Sequence, residues 1–138
     1  TEKLHECTAK ELTNVYDNTI YFTSYVAAEV IKAAQKYAAD YNVVVIYVSD
    51  HGESLGENGL YLHSAPYMVA PQEQTRVPLW IWADETTWAA LNINKTCLRH
   101  KTDEAVSHDN MFHTLMGLAG IKTPEYISTL DLLAACKI

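Results

Sequence analysis

The chain has 138 residues, 49% of them hydrophobic, and a formal net charge of −7. That length and composition fit one globular domain, and the acidic balance, with ten scattered Lys and Arg forming no stripe, argues against a nucleic-acid partner. No apolar run approaches the roughly 18 residues that span a bilayer, and "TEKLHECTAK" carries no signal-peptide pattern, so a soluble piece is expected, of whatever parent.

In chain order, Thr8-Ala9-Lys10-Glu11 reads as a capping box, a Thr followed three residues on by Glu. From there to about Asp40 no Pro or Gly interrupts, and the later part is rich in Ala, Lys, Gln and Glu. One long helix is expected. Val15, Phe22, Val26 and Val30, with Thr19 between, recur at three- and four-residue steps and give it an amphipathic face. Past Asn42, "VVVIYV" (43–48) is β-branched, short and continuous, the pattern of a strand covered on both faces. A second strand is predicted at "VPLWIWA" (77–83), with Pro78 at its start or at an edge, because proline donates no ladder bond. "SHDNMFHTLMGLAG" predicts a second helix, capped by Ser107 or Asp109 and ending at Gly120. The tail is ambiguous. A helix running straight into a buried strand is half of an α/β unit. Two strands cannot shield a fully apolar strand on both edges, so the pattern points to part of a larger sheet.

Cys7, Cys97 and Cys136 form no Cys-x-x-Cys pair, which argues against a zinc knuckle or a thioredoxin-like motif. They fit either buried thiols of a cytosolic protein or disulfide halves of an exported one, and in the second case the odd count leaves one partner unaccounted for. Asn94-Lys95-Thr96 matches a glycosylation sequon, a triplet that arises often by chance.

The chemistry concentrates at the end of the first strand, in Asp50-His51-Gly52-Glu53, followed by a Gly-rich loop and His63. Open α/β sheets bind ligands outside the carboxyl ends of their strands. Asp offers a hard oxygen and His a neutral imidazole, a mix suited to zinc or manganese rather than calcium. Gly52 would let the backbone turn sharply, and Glu53 lies close enough to serve as a base or as a ligand for a second ion. Taken alone, the same residues also fit a turn capped by Ser49 and Asp50 with His51 solvated, and an ordinary surface histidine at position 63.

The whole stretch is more specific than its parts. "SDHGESLGENGLYLHSAPYMVAPQEQTRVPLWIW" (49–82) closely resembles the periplasmic phosphoethanolamine transferases that modify lipid A, including the mobile colistin-resistance enzymes. The resemblance extends upstream through "CTAKELTNVYDNTIYFTSYV" and downstream through "SHDNMFHTLMGLAGI" to "LDLLAACK". It implies that residues 1–138 are the C-terminal portion of a periplasmic catalytic domain. The implied fold is α/β, an alkaline-phosphatase/sulfatase-like sandwich with helices flanking a mainly parallel sheet, truncated here on its N-terminal side.

By that resemblance Asp50 and His51 match two ligands of a catalytic Zn2+. His63 matches a histidine at the substrate phosphate, and Glu53 sits where acidic groups near a second, weaker metal and the substrate are expected. The family's threonine nucleophile and its zinc-binding glutamate fall upstream of Thr1, as do the membrane-spanning helices, so this chain alone is expected to be inactive. The implied partners are a phosphatidylethanolamine donor, a lipid A acceptor and the missing N-terminal part of the same protein. The implied location is the periplasmic face of the bacterial inner membrane. The resemblance also implies that Cys7 pairs with a cysteine upstream, which leaves Cys97 and Cys136 as the candidates for an internal bridge. Two rival readings are a sulfatase or phosphatase of the same superfamily, with water as acceptor, and a non-catalytic, metal-stabilised module.

Overall fold

The computed structural model describes residues 3–138, which divide into two compact units. The first comprises the chain up to Tyr37 together with Val44–Trp82, and the second comprises Ala38–Val43 and Ala83–Ile138.

The first unit opens with helix α1, Ala9–Gln35. Its capping box is in place: the Glu11 amide donates to Thr8 Oγ1 at 3.3 Å, and the Thr8 amide donates to Glu11 Oε2 at 2.8 Å. The Thr8 hydroxyl donates to the same carboxylate and holds the Glu11 carboxyl below its ordinary range. The helix stops at Lys36, short of Asp40, and residues 36–40 form turns. Strand β1, Val44–Val48, follows. A short hairpin comes next, β2 (Ser54–Leu55) antiparallel to β3 (Tyr61–Leu62), in the register Ser54 to Leu62 and Leu55 to Tyr61. Helix α2 is a single turn, Gln72–Thr75, set off by Pro71. Strand β4, Leu79–Ala83, pairs with β1, and Tyr47 stacks on Trp80 across the pair at 5.4 Å. Pro78 lies just before the strand, where its missing N–H loses no ladder bond, and its carbonyl accepts from the Ser49 amide.

The apolar stripe of α1 is only partly covered. Val15 and Phe22 are exposed, and Val26 and Val30 only line an open apolar cleft with Val45, Ile46, Tyr47 and Trp80. Leu12 is the buried residue of this helix. The reason is length. A helix of 27 residues runs about 40 Å, whereas a five-residue strand covers about 17 Å. The periodicity correctly marks an apolar stripe, but this sheet covers only part of it. For the same reason β1 is half-buried along its whole length, as a strand of a larger sheet would be.

The second unit carries α3 (Glu85–Ala90), α4 (Lys95–His100) and α5 (Asp109–Ala119). Asp84 caps α3 through the Thr87 amide at 2.6 Å, which lowers its carboxyl pKa, and the Thr86 hydroxyl adds to the effect. Asn94 of the sequon triplet caps α4 through the Cys97 amide at 3.0 Å. The N-cap residue of α5 is His108, not Ser107 or Asp109, although Ser107 Oγ still accepts from the Asp109 amide at 3.3 Å. Gly120 ends α5 with φ 65°, the left-handed conformation that favours glycine there.

Behind α5 the ambiguous tail forms 3-10 turns at Ser128–Leu130 and Ala134–Cys136. They are held by a buried polar network. Asn110 donates to the Leu130 carbonyl at 2.8 Å, the Leu132 amide to Thr114 Oγ1 at 3.0 Å, and the Ile127 amide to His113 Nδ1 at 3.0 Å. Asp131 accepts from the Tyr126 hydroxyl at 2.7 Å and from the Leu133 amide at 2.9 Å. Cys97 and Cys136 form a disulfide, with Cα atoms 5.6 Å apart. Cys7 follows a short 3-10 turn at Leu4–Glu6, and its thiol contacts the Lys3 carbonyl at 3.7 Å.

Candidate metal centre

All four site residues singled out in the sequence lie in the first unit, just beyond the C-terminal end of β1 or at the end of β3. The loop at 49–53 is built locally. Ser49 Oγ donates to the His51 carbonyl at 2.8 Å, and the His51 amide donates to Asp50 Oδ1 at 3.0 Å. The Gly52 amide donates to the Gln74 carbonyl at 3.0 Å. Gly52 is needed for close approach, not for the sharp turn expected from the sequence: a Cβ there would overlap the Glu73 carbonyl oxygen.

His51 Nδ1 lies 2.9 Å from the Gly52 carbonyl. A carbonyl only accepts, so the proton sits on Nδ1 and Nε2 keeps its lone pair, the arrangement in which a histidine ligates a metal. Asp50 Oδ2 lies 3.8 Å from that Nε2. Two ligands of one tetrahedral zinc, each about 2.1 Å from the ion, stand about 3.4 Å apart. A shift of a few tenths of an ångström in an Asp50 side chain that is 88% exposed brings the pair to that spacing.

The hairpin brings His63 back to this loop. Its imidazole stacks on that of His51, ring centroids 3.9 Å apart, and its Nδ1 lies 3.3 Å from Glu53 Oε2. Ligand-capable atoms of His51, Glu53 and His63 all fall within 4.8 Å of one another. Asp50 stands outside that trio and approaches His51 from its Nε2 side. The donor set, two imidazoles and two carboxylates, suits a borderline divalent cation such as zinc. Asp50 and Glu53 also make an unmetallated site acidic, which would repel a phosphate. A cation held here would neutralise the carboxylates and make the site open to an anion.

A model of the sulfatase family matches residues 2–121. The chain belongs to the sulfatase family. Within it, this sulfatase-family chain is 37% identical to the phosphoethanolamine transferase EptA of Escherichia coli K12, over 99% of its own length and 25% of that protein's. It is 40% identical to the phosphatidylethanolamine transferase Mcr-1 of Escherichia coli, over 84% of its length and 20% of the relative's. Among solved structures it superimposes on the soluble domain of lipooligosaccharide phosphoethanolamine transferase A from Neisseria meningitidis with a TM-score of 0.91. The identity is 39%, covering all of this chain and 42% of that one. The chain thus spans about a quarter of the curated relatives' length. The α/β, sulfatase-like fold expected from the sequence is the fold found.

Proposed function

We propose that this chain is part of a zinc-dependent phosphoethanolamine transferase. The parent takes the head group from phosphatidylethanolamine and delivers it to lipid A through a phospho-threonine intermediate, a modification that confers polymyxin and colistin resistance. The observation that carries the reading is the convergence of His51, Glu53 and His63 beyond β1, in a chain similar over nearly its whole length to named phosphoethanolamine transferases.

In this reading Asp50 and His51 hold the metal, His51 through Nε2. Bound zinc supplies positive charge at the transferring phosphoryl group and lowers the pKa of a coordinated hydroxyl. Glu53 accepts from His63 Nδ1 and fixes that ring, and when the imidazole carries a second proton its Nε2–H can donate to a phosphate oxygen or pass that proton to the departing diacylglycerol oxygen. The threonine nucleophile and the remaining ligands come from the rest of the parent. A periplasmic location is supported by the Cys97–Cys136 disulfide, since such bridges persist in oxidising compartments. Among the described residues no helix is long and apolar enough to cross a membrane. Anchoring at the inner membrane therefore falls to another part of the parent.

The test is lipid A mass spectrometry from Gram-negative cells expressing the full-length protein. One added phosphoethanolamine group is expected, and none with Asp50→Ala or His51→Ala. Unmodified lipid A together with release of inorganic phosphate or sulfate by the purified protein would instead indicate a hydrolase of the same family.

A further inference from the structure

Gln74 lies on the single-turn helix α2 and is 7% exposed, although nothing in its own segment requires a buried amide. Its side chain bridges Ser54, the first residue of β2, and Ala65, three residues past the end of β3. Nε2 donates to Ser54 Oγ at 2.9 Å, and Oε1 accepts from the Ala65 amide at 3.2 Å. Its backbone carbonyl accepts from the Gly52 amide. Gln74 thus grips the residues on either side of Glu53 and the residue two beyond His63.

The hairpin that should set Glu53 against His63 has only two residue pairs, and so short a ladder fixes register weakly. The backbone on either side of His63 is also unusual. Leu62 and Ser64 both take positive φ, 64° and 76°, which non-glycine residues keep only where the surroundings hold them. Ser54 is 2% exposed, so its hydroxyl and the Gln74 amide satisfy each other away from water, where an unmade bond is costly.

We propose that Gln74 is the positioning residue of the site: its buried side-chain amide holds the Glu53 and His63 segments together, so that the His63 imidazole lies against His51. The inference rests on the transferase reading for its purpose, but its geometry is read without any turnover.

The experiment compares the 138-residue chain with Gln74→Met, Gln74→Glu and Ser54→Ala variants. Nuclear Overhauser contacts between the His51 and His63 rings report the positioning, and absorption on Co2+ titration reports the metal site. Gln74→Met should lose the ring-to-ring contacts while Co2+ affinity, set by Asp50 and His51, stays at the level of the unsubstituted chain, with the Ile127 amide and the rest of the second unit unchanged. Gln74→Glu keeps an acceptor for Ala65, and the Ser54 hydroxyl can turn to donate to it, so this variant should retain both signals. Ser54→Ala removes one half of the bridge and should weaken the ring contacts without unfolding the chain, which keeps the test open if Gln74→Met fails to fold. Ring contacts that stay at the level of the unsubstituted chain in both Gln74→Met and Ser54→Ala would overturn the proposal. Failure of the transferase reading is seen separately, as unmodified lipid A, and would leave these signals untouched.

Discussion

His63 and His51 have different partners, and so different expected phenotypes. His51 Nδ1 is tied to the Gly52 carbonyl and its Nε2 faces Asp50, whereas His63 is tied to Glu53. In the full-length protein, His63→Ala should lower turnover on the order of 100-fold, the scale of a lost proton donor, while zinc content by plasma emission stays at the parent value. Equal loss of metal in His63→Ala and His51→Ala would put His63 among the ligands. Gly52→Ala should abolish activity at unchanged substrate chemistry, because its Cβ forces the Glu73 carbonyl, and with it the loop, out of place. The run Asp50 to Glu53 and His63 were legible as individual letters of a motif. Their pairing was not. Glu53 and His63 meet across ten residues only because a two-pair hairpin and Gln74 set the register, and no local pattern marks either device.

At the scale of single elements, capping chemistry was readable and burial was not. Thr8 and Glu11 announced the start of α1, and Gly120 the end of α5. Asp84 and Asn94 cap α3 and α4, two helices not expected from the sequence, because six residues are too short to show a 3.6-residue period. Thr8→Ala should lower the melting temperature by about 4 °C, measured by circular dichroism. The Glu11 carboxyl is held below its ordinary range by the Thr8 hydroxyl first and the Thr8 amide second. Its contribution is therefore complete above the unfolded carboxylate pKa and disappears as pH falls through the lower folded value. The Thr8→Ala difference should shrink along that acid limb.

The α5 network has the opposite sign at high pH. The hydrogen bond to Asp131, then burial, raises the Tyr126 hydroxyl above the ordinary tyrosine value. That contribution is whole below the unfolded tyrosine pKa and is lost as pH rises through the raised folded one. Tyr126→Phe should thus flatten the alkaline loss of stability expected of the unsubstituted chain, as read in urea melts across that pH range. Gly117→Ala would drive a methyl into the Asp131 carboxylate, and disturbing a buried acceptor of this kind should destabilise by about 1–3 kcal/mol in urea melts.

For the whole molecule, the disulfide and the exposed stripe of α1 bear on the same question, how much of a working enzyme these residues make. The Cys97–Cys136 bridge closes a separation of 39 residues, worth about 4 kcal/mol in the loop-entropy account, so the second unit is stapled internally. The first unit, by contrast, leaves Val15, Phe22 and the flanks of β1 open to solvent, as surfaces that the rest of a larger sheet would cover. The site lies in that first unit. In the proposed reading only Asp50 and His51 of its donors bind the catalytic zinc, fewer than the three protein ligands a firmly bound zinc normally has, and the threonine nucleophile is expected in the remainder of the parent. The 138-residue chain should therefore bind zinc weakly and turn nothing over. Purified chain, zinc and a phosphatidylethanolamine donor should release no diacylglycerol above background, whereas the full-length protein should. Release by the chain at a rate near that of the full-length protein would mean that a side chain within these residues is the nucleophile, and the assignment of the reacting hydroxyl to the rest of the parent would be wrong.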